Sequence, residues 1–122
     1  MKIKVVNLKN KFDSFSDYWN PKIVGELNDH FVKVVKLKNE FVFHKHENED
    51  EMFYVIEGKL LMALDENQTL EINAGEFVII PKGTNHKPIA VEEVKVMLFE
   101  PKTTLNTGNT DNDFTVKNLG RI

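Results

Sequence analysis

Two of the four histidines of this chain, His44 and His46, are separated by a single residue. In an extended strand successive side chains alternate between two faces, so this spacing places both imidazoles on one face with their α-carbons about 6.6 Å apart. Metal–imidazole bonds are about 2.0–2.1 Å long, so both rings can turn towards the same ion. The pair therefore indicates a metal site, although a structural or surface role fits two alternate histidines equally well.

Further residues at defined spacing follow the histidine pair. Glu51 comes five positions after His46, and Gly58 comes seven positions after Glu51. A second block, GEFVIIPKGTNH, supplies Gly75, Pro81, Gly83 and His86. The two blocks resemble the paired signatures of the cupin superfamily, His-x-His-x(3,4)-Glu-x(6)-Gly and Gly-x(5)-Pro-x-Gly-x(2)-His-x(3)-Asn. The resemblance covers residues 39–99, with Lys38 in place of a usual glycine and Ala90 in place of the final asparagine.

The resemblance implies a metal site and a fold. Its four ligands would be His44, His46, Glu51 and His86, a set that suits one divalent transition metal such as Fe, Mn, Ni, Co, Cu or Zn. The acidic residues beside Glu51 are competitors that the spacing disfavours: Glu47, Glu49 and Asp50. The implied fold is an all-β antiparallel jelly-roll barrel, also called a double-stranded β-helix, with the site inside. Small cupins of this kind commonly pair, so we expect a homodimer in which Lys2 to Leu8 joins the partner's sheet.

Three imidazoles and one carboxylate around a divalent ion leave a net charge near +1, which favours a small anionic ligand. The resemblance allows a metal-dependent enzyme of the oxygenase or isomerase type acting on a small oxygenated anion. It equally allows a metal- or ligand-binding module without turnover, or a purely structural barrel. We expect the apolar lining to come from Phe53, Met62, Met97 and Phe99. The candidate acid–base groups, Tyr54, Glu100 and Lys87, could as well be solvated surface residues, and His30 matches no motif.

The elements that would position these residues are short strands. Segments rich in Val, Ile and Phe recur every 8–12 residues between turn-prone pairs, which is typical of an all-β domain. Gly58, Gly75 and the Pro81–Gly83 turn fit positions where the chain must reverse. The predicted strands are 22–27, 30–37, 41–46, 52–56, 59–64, 69–72, 77–80, 86–91 and 94–99.

The segments outside this core are harder to assign. We expect one cupin domain over residues 1–122, with a core of about 22–100. In the N-terminal extension, 1–21, the aromatic residues between Phe12 and Trp19 fit either one helical turn or an irregular plug over the barrel. The C-terminal part, 101–122, is predicted to be a polar loop over 103–113 followed by a short strand over 114–117.

Composition excludes several other functions. Sixteen basic and nineteen acidic side chains give a net charge of −3, so we expect no nucleic acid or membrane partner. The chain contains no cysteine, which excludes disulfides and thiolate metal ligands. No apolar stretch resembles a secretory signal or a membrane span, so the expected compartment is the cytoplasm.

Overall fold

The computed structural model describes residues 2–65, 67–108 and 111–122, and its regular structure is almost entirely β. One short helix, α1, spans Leu8–Asp13. The strands described are β1 Lys22–Leu27, β2 His30–Glu40, β3 Glu51–Glu57, β4 Lys59–Leu64, β5 Thr69–Asn73, β6 Phe77–Ile80, β7 His86–Pro101 and β8 Gly120–Arg121. Among these residues no helix is long and apolar enough to cross a lipid bilayer.

The strands form one sheet in the order β5-β4-β7-β2-β1-β8, and β3 pairs with both β6 and β7. All of these pairings are antiparallel except the short one between β1 and β8. The long strand β7 organises the sheet, because its first half pairs with β4, its second half with β3, and both halves with β2. This arrangement confirms the predicted all-β jelly-roll fold, as a sheet that does not close completely into a barrel.

The period of two along each strand places one set of apolar side chains inside the curved sheet. In β7 the buried apolar residues include Ala90, Val94, Val96 and Leu98, and in β3 they are Phe53 and Val55. They pack with residues from β2, β4, β5 and β6 into one continuous core. The centre of the curved sheet is therefore apolar.

Two of the predicted strands were wrong, and two others are joined into one. Residues 41–46 form no named strand, and only His44 makes a bridge, to His86. The segments 86–91 and 94–99 are one continuous strand, because the backbone remains paired with β2 on both sides of its exposed middle. The final strand lies at Gly120–Arg121 beside β1 and not over 114–117.

The two terminal segments cover the same end of the sheet. The helix of the N-terminal extension, α1, ends at Asp13, so most of the segment from Phe12 to Trp19 is irregular, as the plug interpretation expected. The Trp19 ring stacks on Phe41 with ring centroids 4.8 Å apart, and Phe114 lies 5.0 Å from Phe41. The described part of the predicted 103–113 loop contains no helix or strand, and residues 109 and 110 lie outside the described residues.

Candidate metal centre

The backbone brings the three motif histidines together across two segments. His44 and His86 exchange reciprocal backbone hydrogen bonds of 3.0 and 2.9 Å, so their side chains leave the chain side by side. The Gly83 N–H donates to the carbonyl of His46 at 2.7 Å, which ties the turn before His86 to the second histidine. Gly83 has a φ of 78°, which a glycine adopts without steric cost. The Pro81–Gly83 turn therefore places His86 as the sequence predicted.

Hydrogen bonds fix the orientation of two imidazole rings. The Nδ1 atom of His44 lies 2.9 Å from the Val42 carbonyl, and Nδ1 of His86 lies 2.9 Å from the Thr84 carbonyl. A carbonyl can only accept, so both Nδ1 atoms carry a proton, and in a neutral ring the Nε2 atom is then left with a lone pair for a metal. Such contacts hold metal-binding imidazoles in one tautomer and orientation.

Glu51, the first residue of β3, lies at the centre of the histidines. Its Oε1 atom is 3.3 Å from Nε2 of His46 and 3.3 Å from Nε2 of His86. One ligand atom from each of His44, His46, Glu51 and His86 lies within 4.8 Å of all the others, and all four residues are buried. Both ring nitrogens of His46 are buried without a hydrogen-bond partner in the described structure. Burying a polar atom without a partner costs free energy, and a metal ion would provide a partner for one of the two His46 nitrogens. The set of four donor residues therefore fits a divalent transition metal.

The neighbouring acidic residues lie apart from this cluster. Glu47 is paired with Lys45, Glu49 accepts a hydrogen bond from Thr103, and Asp50 accepts one from the Lys82 N–H. All three residues lie in the loop between β2 and β3, where Glu47 and Asp50 are exposed. The structure thus brings Glu51, and not its competitors, into the group of histidines.

The environment favours a neutral imidazole and an ionised carboxylate. Burial, followed by repulsion from His86, lowers the pKa of His44 from 6.5 to about 4. Burial alone would raise the pKa of the Glu51 carboxyl, but the adjacent Glu100, His46 and His86 together hold it well below its ordinary value of 4.5. Neutral imidazole and ionised carboxylate are the protonation states in which these groups bind metals.

The lowered pKa of His44 predicts a pH-dependent stability of the metal-free protein. Between pH 6.5 and about 4 the unfolded chain binds a proton on His44 that the folded chain does not, so stability falls as the pH falls. We would measure the free energy of unfolding by urea denaturation in the presence of a chelator. From pH 6.5 to 4.5 this free energy should fall by about 2 kcal/mol more in the wild type than in His44→Gln. Equal losses in the two proteins would contradict the buried neutral state of His44.

A second polar group lies beside the cluster. Lys33 and Glu100 point into the interior from β2 and β7, and the distance from Lys33 Nζ to Glu100 Oε1 is 2.6 Å. Burial, and then the charge of Glu51, raise the pKa of the Glu100 carboxyl well above its ordinary value, against the opposing effect of Lys33. Glu100 was a candidate acid–base residue in the sequence. Lys33 was missed, although it shares the inward face of β2 with Val35 and Leu37.

The buried pair makes a second prediction about stability. Lys33→Met leaves the buried Glu100 carboxyl without its cationic partner and should lower the free energy of unfolding by about 2 kcal/mol. The double variant Lys33→Met/Glu100→Leu removes both charges and should recover most of this loss, since apolar pairs often replace buried ion pairs without cost. Chemical denaturation of the two variants checks the difference, and additive losses would contradict it.

A small cavity of about 40 Å³ lies against the cluster. His44, Glu51 and Glu100 line it on the polar side, and apolar residues including Phe53 and Leu98 line the rest. Trp19 and Phe41 also line it. A volume of this size holds about three water molecules. The site therefore has room for a small ligand beside the four clustered residues.

Several expected site residues lie elsewhere. Phe53 lines the cavity and Met62 is buried in the core, but Met97 and Phe99 lie on the outer face of β7, because the inward residues of that strand are the even-numbered ones. Tyr54 is paired with Met97 and Phe77 in the sheet and shares their outer face. The Lys87 ammonium donates to Glu40, and the His30 ring stacks on Phe99 outside the cluster.

The C-terminal segment packs directly on the loop that carries His44 and His46. Gly108 is buried with a φ of 66°, and a Cβ atom at this position would collide with the backbone carbonyl of Lys45. Asn106 lines the cavity and is held by hydrogen bonds to Phe114 and Val116. This segment, which carries no motif, closes one side of the site.

Comparison with known proteins finds a matching family and several similar chains. The family model described as cupin domain matches residues 31–102. The solved structure of a cupin-2 domain containing protein from Shewanella frigidimarina is 45% identical, with a TM-score of 0.79 over 80% of this chain and 95% of that one. The uncharacterized protein YdbB of Bacillus subtilis is 35% identical over 66% of this chain and 65% of its own length.

One similar protein has an enzyme name. The 3-hydroxyanthranilate 3,4-dioxygenase 2 of Aspergillus fumigatus is 28% identical over 79 residues, which are 62% of this chain and 42% of that protein. This chain therefore spans less than half the length of that enzyme and about two thirds of YdbB.

Proposed function

The chain belongs to the cupin family, and on that premise we propose that it binds one divalent transition metal through His44, His46, Glu51 and His86 to act on a small oxygenated anion. The observation that carries the proposal is the convergence of four buried ligand atoms within 4.8 Å of one another. Three imidazoles and one carboxylate are ligands that iron, manganese, cobalt, nickel, copper and zinc accept. When bound, the ion would supply a Lewis acid or a redox centre beside the cavity.

The charge of the site supports an anionic ligand. One divalent ion and the Glu51 carboxylate sum to +1, and the Lys33–Glu100 pair adds no net negative charge in either protonation state of Glu100. The apolar remainder of the lining would strengthen the attraction between this positive charge and an anion. At about 40 Å³ the cavity suits a ligand of only a few heavy atoms, smaller than a substituted aromatic ring.

The coordination number of the metal separates the enzyme from the binding module. Zinc prefers four ligands and would be saturated by these four, whereas iron, manganese, cobalt or nickel at six-coordination retains two open positions. Open positions next to the cavity would support chemistry of the oxygenase or isomerase type. The alternative, a non-catalytic metal- or ligand-binding module, is favoured by the small size of the cavity.

The function can be tested on chelator-stripped protein reloaded separately with Fe(II), Mn(II), Co(II) and Zn(II). Oxygen uptake and aldose–ketose interconversion would be measured with small hydroxy acids and short sugars, with His86→Ala as the inactive control. Turnover that depends on the metal and is lost in His86→Ala would support an enzyme. Stoichiometric metal binding without turnover would support the binding module, and failure to bind any of the four ions would overturn both.

We also propose that the protein is a homodimer. Residues 2–7 lie outside the described strands, and Ile3 and Val5 are 94% and 98% exposed. The outer face of β6 exposes Phe77 and Ile79 by 60% and 54%. Exposed apolar side chains on an extended segment and on a sheet face favour association between two copies.

Analytical ultracentrifugation checks the dimer. The wild type at micromolar concentration should sediment with twice the mass of one chain, and Ile3→Asp/Val5→Asp should weaken association at least about tenfold, because each aspartate would be desolvated at the interface. Val91→Asp is the matched control, since Val91 is also exposed but belongs to β7 and not to the N-terminal segment. A monomeric wild type would contradict the proposal.

A further inference from the structure

The ion pair between Lys33 and Glu100 is not needed to hold the metal. Both side chains are at most 2% exposed, and their charged atoms lie 2.6 Å apart. The compact cluster of ligand atoms comprises His44, His46, Glu51 and His86 without either residue. Buried ion pairs contribute little net stability, because the cost of removing two charges from water offsets their attraction. A role towards the bound ligand accounts for the pair better than a role in folding.

The geometry leaves one oxygen of Glu100 available. Lys33 holds Oε1, whereas Oε2 is buried without a hydrogen bond of good geometry in the described structure, and the Glu51 carboxyl lies beside Glu100. Glu100 lines the same cavity as His44 and Glu51, so a ligand in that cavity can reach both carboxyl groups. When Glu51 holds a metal ion, a buried oxygen of Glu100 at this cavity is a hydrogen-bonding position for the ligand.

We propose that Glu100, positioned by Lys33, determines ligand specificity by hydrogen bonding to a hydroxyl group of the bound anion, so that the site selects small α-hydroxy carboxylates over plain carboxylates. A hydroxyl both donates and accepts, so it satisfies Oε2 whether or not the Glu100 carboxyl carries a proton. A plain carboxylate of the same charge leaves Oε2 unpartnered. The inference rests on the proposed metal site, which supplies the positive charge that attracts the carboxylate.

Glycolate and acetate are the matched probes, because they have the same charge and differ by one hydroxyl group. Both would be titrated into the Co(II)-loaded protein, with affinities read from the cobalt absorption spectrum and from calorimetry. The ratio of glycolate to acetate affinity should fall about five- to tenfold in Lys33→Met/Glu100→Leu. Any preference due to the hydroxyl binding the metal itself remains in that variant, so the change in the ratio isolates Glu100.

The conservative variant Glu100→Gln provides the rescue, since its amide can still bond to a hydroxyl and should retain most of the preference. Near-UV circular dichroism and cobalt affinity within threefold of wild type would show that fold and metal site are intact.

An unchanged ratio in the double variant would overturn the inference alone. A cobalt affinity more than tenfold lower would also overturn it, because Glu100 would then be a metal ligand. Failure of the wild type to bind cobalt would overturn the proposed function as well.

Discussion

Replacing His86 by alanine is expected to lower the affinity for Co(II), Mn(II) and Ni(II) by at least about 100-fold. Residues that only support a ligand typically contribute 10- to 100-fold to metal affinity, and His86 is proposed as a ligand itself. The Nδ1 atom of His86 is held by the Thr84 carbonyl, and its Nε2 atom faces Glu51. Alanine removes both contacts and the Nε2 ligand atom. Isothermal titration calorimetry on chelator-stripped protein measures the change.

The matched control is His30→Ala, which removes an imidazole that stacks on Phe99 outside the cluster. Its metal affinity should stay within about threefold of wild type. Glu51→Gln, which preserves the shape of the side chain, should behave like His86→Ala, because the amide lacks the charge of the carboxylate. Similar affinities for His86→Ala and His30→Ala would show that the metal binds elsewhere.

Gly108→Ala is expected to lower the free energy of unfolding by about 4 kcal/mol. Part of this loss comes from the positive φ of 66°, and the larger part from the collision of the new Cβ with the Lys45 carbonyl. Lys45 lies between His44 and His46, so the displaced loop should also weaken metal binding. Urea denaturation and a cobalt titration on the same preparation measure both effects.

Gly75→Ala is the control for Gly108→Ala, because Gly75 has a φ of 87° but nothing within 4 Å of an added Cβ. It should cost only about 1 kcal/mol from backbone strain and leave metal affinity unchanged. Equal losses in the free energy of unfolding for the two variants would contradict the close contact between Gly108 and the loop that carries His44 and His46.

The sequence predicted the strands well where a period of two was combined with strong turn residues. The bounds of β1, β4 and β6 were predicted correctly, and Gly58 and Gly75 adopt the positive φ values that their turns required. The grouping of the four proposed ligands was implied by the resemblance of the two motifs to the cupin signatures, and the structure brings these four residues together.

Other features depend on contacts between distant segments. Residues 41–46 have the composition of a strand, but their backbone makes isolated hydrogen bonds, to Pro88, His86 and Gly83, and no continuous ladder. The 114–117 segment is held by Asn106, an interaction that no local pattern predicts. Only the three-dimensional structure shows that both segments cover the site.

The alternation of side chains along β7 and β2 predicts which residues of these strands face the interior. Val94, Val96 and Leu98 form the inward face of β7, which places Glu100 inside and Met97 outside. The same rule applied to β2 would have singled out Lys33 as a charged residue on an apolar face. A charge at such a position indicates a buried partner, and here that partner is Glu100.

X-ray absorption spectroscopy of the protein loaded with one equivalent of Co(II) tests the central claim most directly, because it counts imidazole ligands at the metal. We expect the scattering of three imidazoles and at least one oxygen, reduced to two imidazoles in His86→Ala. A wild-type spectrum with one imidazole or none, or one unchanged by His86→Ala, would contradict the proposed metal centre.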